Sequence, residues 1–199
     1  VTVHGRYTGI LRDDLSYGFD ELAQDFPGID FSAGLHRANL PRRLVTTDTD
    51  PLTTQVMLSV ALYLREGDIV TNLSFKSGAT AADTPTNWWF ALYDPALALL
   101  AQTADQEDAA WAANALKTLA LASPVTIADT GVHYAAIMVK ATDEPSLLGH
   151  SVALAGASAA WFTGESILAQ TSGAALTDTA PATIATPAAV ASVPRVVAT

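Results

Sequence analysis

The sequence predicts an all-β protein: a jelly-roll-like antiparallel β-sandwich over residues 51–199, preceded by an arm, residues 1–50, that carries one short helix. Three observations lead there. The stretch Asn87-Trp88-Trp89-Phe90-Ala91-Leu92-Tyr93-Asp94 puts three consecutive aromatics ahead of Ala, Leu and Tyr, which suits a pleated, buried surface better than a helix. Val56, Leu58, Val60, Leu62 and Leu64 alternate with Gln55, Met57, Ser59, Ala61 and Tyr63, a clean period of two. Further short apolar runs follow, separated by turn signals at Glu66-Gly67-Asp68, Asp94-Pro95, Ser123-Pro124 and Asp129-Thr130-Gly131.

Taken in order, residues 1–14 show no clear period. Over about 14–26, Leu15, Phe19, Leu22 and Phe26 fall on one helical face, with Asp13 or Asp14 to cap the start and Pro27-Gly28 to stop it. So short a helix needs a partner for its apolar face, either its own domain or a neighbouring protein. Residues 28–50 read as irregular chain between arm and domain, with a small basic cluster, Arg37, Arg42 and Arg43, that is either a solvated face or a contact for an acidic partner. Residues 55–64 form a strand, Glu66-Gly67-Asp68 turns the chain, and 69–76 return with Ile69, Thr71, Leu73 and Phe75 in phase.

The Trp-rich hairpin comes next. Pro95, without an N–H, belongs in its turn. Alternation sends Trp88 and Phe90 to one face and Trp89 and Ala91 to the other, so both faces should be covered. Residues 104–114 read as a loop whose Trp111 plugs a gap, or as a helix. Strands follow at 115–121, 125–127 and 132–140. Beyond Pro145 the pattern thins into Ala, Ser, Thr and Gly, where Trp161 and Phe162 stand out as apolar plugs and a short strand is expected at 166–170. The last segment, 188–199, reads as a closing strand that Pro194 confines to an edge.

Composition narrows the function. With 199 residues the chain can bury a sizeable core, and with no cysteine it has neither disulfides nor thiolate metal sites. Ten basic against twenty acidic side chains give a net charge of −10, which argues against nucleic acid as a partner. No secretory signal pattern is visible in the first thirty residues, and the alanine-rich stretches are too interrupted to span a bilayer.

His4, His36, His133 and His150 lack metal-ligand spacing, and His133 reads as a hydrogen-bonded strand residue. Nucleophile-elbow and phosphate-cradling glycine motifs are absent. The carboxylate clusters Asp48/Asp50, Asp105/Glu107/Asp108 and Asp143/Glu144 read as turn residues, with glycoside hydrolysis or Ca²⁺ binding as the sharper alternatives. Trp88, Trp89, Tyr93, Trp111 and Trp161 are core residues by default and a sugar-stacking platform if exposed.

Several words in this pattern carry a resemblance: Ala61-Leu62-Tyr63-Leu64-Arg65-Glu66-Gly67-Asp68-Ile69-Val70-Thr71-Asn72-Leu73-Ser74-Phe75, Trp88–Asp94, Leu99-Leu100-Ala101-Gln102-Thr103 and Thr130–Val139. Through them, about residues 52–199 resemble a β-sandwich module of virion proteins of tailed phages, especially those of actinobacteria. The resemblance implies a structural or adhesive role on the particle, without enzymatic activity or cofactor, and it transfers no site residues. It implies a virion location, with assembly in the host cytoplasm. The leading expectation is a capsid decoration protein, a dimer or trimer held to the major capsid protein or other virion proteins by its arm through Leu15, Phe19, Leu22, Phe26, Arg37, Arg42 and Arg43. The alternative is a minor tail or fibre protein that binds host glycan through Trp88, Trp89 and Trp111. A hydrolase using loop carboxylates is the third reading. Neither membrane nor nucleic acid is expected as a partner.

Overall fold

The structure is a computed structural model that describes residues 35–151 and 155–199. The expected helix at 14–26, with Leu15, Phe19, Leu22 and Phe26, lies outside the described residues, as does His4. The described chain is an all-β antiparallel sandwich; its only helical pieces are short 3-10 turns at Arg42–Leu44 and Ala155–Ala157.

Among the described residues, thirteen strands build three sheets. Six form the larger sheet, in the spatial order β11 (Ala188–Ala189), β10 (Ala169–Ser172), β3 (Met57–Leu64), β8 (Gly131–Lys140), β5 (Asn87–Tyr93) and β6 (Leu99–Gln102). A four-stranded sheet packs against it, in the order β1 (Arg37–Ala38), β13 (Val196–Ala198), β4 (Ile69–Lys76) and β7 (Leu116–Thr126). A small third sheet orders β12 (Ser192–Pro194), β9 (Leu148–Ser151) and β2 (Thr47–Asp48). Every pairing is antiparallel.

The alternation seen in the sequence explains the layers. Leu58, Val60, Leu62 and Leu64 of β3 point into the sandwich, where they meet Trp88, Phe90 and Leu92 of β5, Ala135, Ile137 and Val139 of β8, and Leu73 and Phe75 of β4. The other face of the six-stranded sheet carries a second, smaller core: Met57, Trp89, Ala91, Tyr93, Tyr134, Ala136 and Met138. That core is closed by an extended strap from the thin-patterned region, through Leu176, Ala180 and Ile184. Hydrogen bonds lace the strap down: Trp89 Nε1 donates to Thr177 O (2.7 Å), Tyr93 OH to Pro181 O (2.9 Å) and Ala180 N to Gln102 Oε1 (2.7 Å). Both faces of the Trp-rich strand are thus covered, as its composition predicts.

Four details differ from the sequence reading. Glu66-Gly67-Asp68 is a corner and not a hairpin: β3 and β4 belong to different sheets, and Gly67 (φ 84°) takes the left-handed conformation the corner needs. Within β4, Val70 is buried and Ile69 is 52% exposed, the reverse of the expected phase. A bulge between Val70 and Asn72 causes the reversal; Thr71 N and Asn72 N both donate to Thr199 O (2.7 and 2.8 Å), so the next residues change face. The expected break at Ser123-Pro124 is absorbed by β7, which runs through it. Ala120 pairs with Asn72 and Val125 with Val70, so residues 121–124 bulge, and Pro124 forfeits no ladder bond there. Leu121 uses the bulge to bridge to Thr103, joining the two large sheets at that edge.

The fourth detail concerns residues 35–50, which the sequence assigned to the arm and which are paired into the sandwich. β1 pairs β13, and β2 pairs β9. Asn39 donates to Pro194 O (2.8 Å) and accepts from Val196 N (2.9 Å). Residues 34–199 form one compact unit. Strands of two residues carry no readable period, so these pairings left no signal in the sequence. Pro194 does lie on an edge strand, β12, while the residues beyond it turn into β13 between β1 and β4.

Candidate functional site

Several of the side chains that suggested chemistry are occupied in holding the fold. Asp105 accepts from Trp88 N (2.8 Å) and Asn87 Nδ2 (2.6 Å), and so anchors the loop after β6 to the start of β5. Asp48 accepts from Ala79 N (2.9 Å), and Asp94 closes the hairpin turn by accepting from Ala98 N (2.8 Å). Asp105, Glu107, Asp108 and Asp178 border one open depression, but among the described residues no group of three or more His, Asp or Glu is arranged to hold a metal ion. His133 is buried, and its Nδ1 donates to Gly131 O (3.2 Å). These are the roles expected of Asp in turns and of a polar group inside a core.

The three tryptophans expected to bind glycan do not reach the surface. Trp88, Trp89 and Trp111 are 1%, 0% and 0% exposed. Trp88 and Trp111 stack at 5.0 Å, and both contact Phe90, at 5.9 and 5.7 Å; Phe75 adds a fourth ring, 4.8 Å from Phe90. Each indole N–H is satisfied internally: Trp88 by Ala109 O, Trp89 by Thr177 O, Trp111 by Ala115 O. A ring without solvent exposure has no face for a sugar, so a glycan site made of these residues is ruled out. The alternation of β5 places Trp88 and Trp89, and the loop before β7 carries Trp111 inward; apolar faces this large go where they remove the most area from water.

Trp161 and Phe162 are the most exposed aromatics among the described residues, 70% and 71% exposed, where the sequence suggested plugs. Their loop is held in shape. Glu165 N donates to Phe162 O (3.1 Å) across a turn whose Gly164 has φ 93°, as the third position of a type II turn requires. The Glu165 carboxylate folds back to accept from Trp161 N (2.7 Å) and Phe162 N (3.1 Å), and Trp161 Nε1 donates to Gly156 O (2.7 Å). Beneath lies a shallow groove of about 500 Å³ floored by Ala61, Val132 and Leu168. Tyr63, two residues beyond Ala61 on the same face of β3, is 55% exposed. The sequence contained one signal for this loop: an aromatic pair directly followed by Thr-Gly-Glu, where no strand period can bury it.

No family model matches the chain, and no curated protein matches it.

The basic cluster is divided. Arg37 is tied to Asp68 by two parallel bonds, Nε to Oδ2 (2.9 Å) and Nη2 to Oδ1 (2.8 Å), while Asp68 Oδ2 also accepts from Arg65 N. Arg37 therefore secures β1 to the corner before β4. Arg42 and Arg43 sit on the exposed 3-10 turn; burial first, and then the charge of Arg42, disfavour the charge of Arg195. Leu44, exposed on the same turn, continues that surface.

Proposed function

We propose that the protein is a non-enzymatic structural component of a tailed-phage virion, a capsid decoration protein whose sandwich faces outward and whose N-terminal residues fasten it to the shell. One observation carries this reading: the sequence words that resemble phage virion modules coincide with the framework strands. Residues 61–75 cover the second half of β3, the corner and most of β4; 88–94 cover all but the first residue of β5; 99–103 contain β6; 131–139 lie on β8. What is shared is therefore a scaffold, which suits a protein whose product is a surface. The carboxylates bound into turns support the same reading, since a group closing a backbone turn is withdrawn from catalysis. The copy number in purified particles tests it. Near-stoichiometric amounts relative to the major capsid protein are expected; a few copies per particle would refute decoration.

A second reading is favoured by the Trp161 loop. A minor tail or fibre protein that binds host glycan would use Trp161 and Phe162, with the groove over Ala61 and Leu168, in place of the buried tryptophans. A rigid, half-apolar ring with its N–H already satisfied offers an unencumbered face for stacking. On this reading Trp161→Ala abolishes adsorption to cells without lowering stability. Unchanged adsorption would exclude it.

A further inference from the structure

The two outer faces of the sandwich are treated differently. The strap covers much of the outer face of the six-stranded sheet, but Leu116, Thr118 and Ala120 of β7 point outward from the four-stranded sheet and are exposed, Leu116 by 62%. Beside them a groove of about 230 Å³ runs under the 3-10 turn. Its floor is apolar, made by Val45, Leu148, Val197 and the flank of Leu116; its rim carries Arg42, Lys76 and Arg195. Among the described residues, no acidic side chain lines it. In a chain with twice as many acids as bases this is a concentration of one sign. Among the described residues, no carboxylate pairs with these three cations. Arg195 spends one donor on Leu40 O (3.1 Å), and it is half-buried beside Arg42, so two guanidinium charges are held together and no carboxylate of the described residues pairs with either. Such an arrangement costs free energy that an incoming carboxylate offsets.

We propose that this groove is a docking site for an acidic amphipathic peptide segment of a partner protein, whose apolar side chains enter the floor and whose carboxylates meet Arg42, Lys76 and Arg195. The charge pattern selects carboxylates, and the apolar floor selects a peptide over a polyanion. A phosphate backbone gains nothing from Val45, Leu148 and Leu116, and the net charge of −10 repels it at long range. Arginine rims suit carboxylates because the guanidinium fork takes both oxygens at once. The inference is independent of the virion reading, since it concerns what the groove binds and not where the protein resides.

Fluorescence anisotropy with the full chain tests it. The probe is a short labelled peptide with Leu and Phe at helical spacing and Asp and Glu between them; its control replaces every acid by the corresponding amide. Binding of the acidic peptide is expected to weaken as salt is raised, because the Debye length shrinks from about 30 Å at 0.01 M to about 8 Å at 0.15 M. Arg42→Glu with Lys76→Glu should weaken it at least roughly tenfold, and Leu116→Ser should weaken it several-fold. All three side chains are exposed, so the variants should melt like the parent, and circular dichroism checks that they do. The proposal is overturned if the acidic peptide fails to bind or the amide peptide binds equally well. It is also overturned if Leu116→Ser changes nothing, or if a single-stranded oligonucleotide displaces the peptide.

Discussion

Replacing Trp111 by alanine tests whether the aromatic cluster is the keystone of the sandwich. Trp111 belongs to no strand; it reaches in from the loop between β6 and β7 and is fully buried against Trp88 and Phe90. Truncating a buried Trp to Ala costs about 3–5 kcal/mol, a transfer term plus the cavity left behind. The lost hydrogen bond adds little, because Ala115 O keeps another donor, Ser77 N (3.0 Å). In a domain of this size, 3–5 kcal/mol corresponds to roughly 6–20 °C in Tm. The matched control is Trp161→Ala, which removes the same atoms from a ring that is 70% exposed and should cost no more than about 0.5 kcal/mol. Urea denaturation gives both values from the midpoints, provided the slopes agree with the parent. A Trp111→Ala cost below about 1 kcal/mol, or a Trp161→Ala cost above that of Trp111→Ala, would refute the assignment of core and surface.

Three further outcomes are expected. A Cβ on Gly149 would overlap Val193 O and lie 2.6 Å from Pro194 Cα, so Gly149→Ala should push β12 off β9 at a cost above about 2 kcal/mol, visible as faster amide exchange in residues 148–151 and at Ser192 and Val193. Burial first, then the charges of Arg195 and Arg37, hold His36 below its ordinary 6.5. The folded state therefore binds the proton less readily, and this contribution is complete above about pH 6.5 and is lost as pH falls through the folded value. His36→Gln should flatten the acid limb of a stability–pH curve, and parallel curves for parent and variant would contradict this. Finally, a chain of residues 51–199 should be less stable than one of residues 34–199 by at least about 3 kcal/mol, because it loses the Arg37–Asp68 pair and the pairings of β1 and β2; equal urea midpoints would return residues 34–50 to the arm.

Much of this fold was legible because its strands obey a simple rule. Over Met57–Leu64 and Trp88–Tyr93, alternation alone assigned the two faces, and even the covering of both faces of β5 could be read from Trp88 and Trp89. The failures have local causes. A bulge at Thr71 exchanged the faces of Ile69 and Val70, and bulges depend on a partner strand that the local sequence does not name. β1 and β2 are too short to show a period. The strap over Trp89 and Tyr93 is held by backbone carbonyls of Thr177 and Pro181, contacts that any residue can make and no composition announces.

The site was less legible for a related reason. Large aromatics inside a strand and large aromatics on a loop are the same letters, and only the ladder decides which face water. Trp88, Trp89 and Trp111 drew attention by their clustering, yet clustering is what a core requires. Trp161 and Phe162 stood alone in a stretch without period, and their exposure depends on Glu165 holding both backbone N–H groups in a turn. The groove beside Leu116 was hidden because Arg42, Lys76 and Arg195 are far apart in the chain and are brought together by β4, β13 and the 3-10 turn.

The measurement closest to the central claim is immunogold electron microscopy of intact particles, with an antibody raised against the sandwich. Label distributed over the head is the result that the decoration reading predicts. Label confined to the tail tip or fibres would contradict it and would move the function to the Trp161 loop.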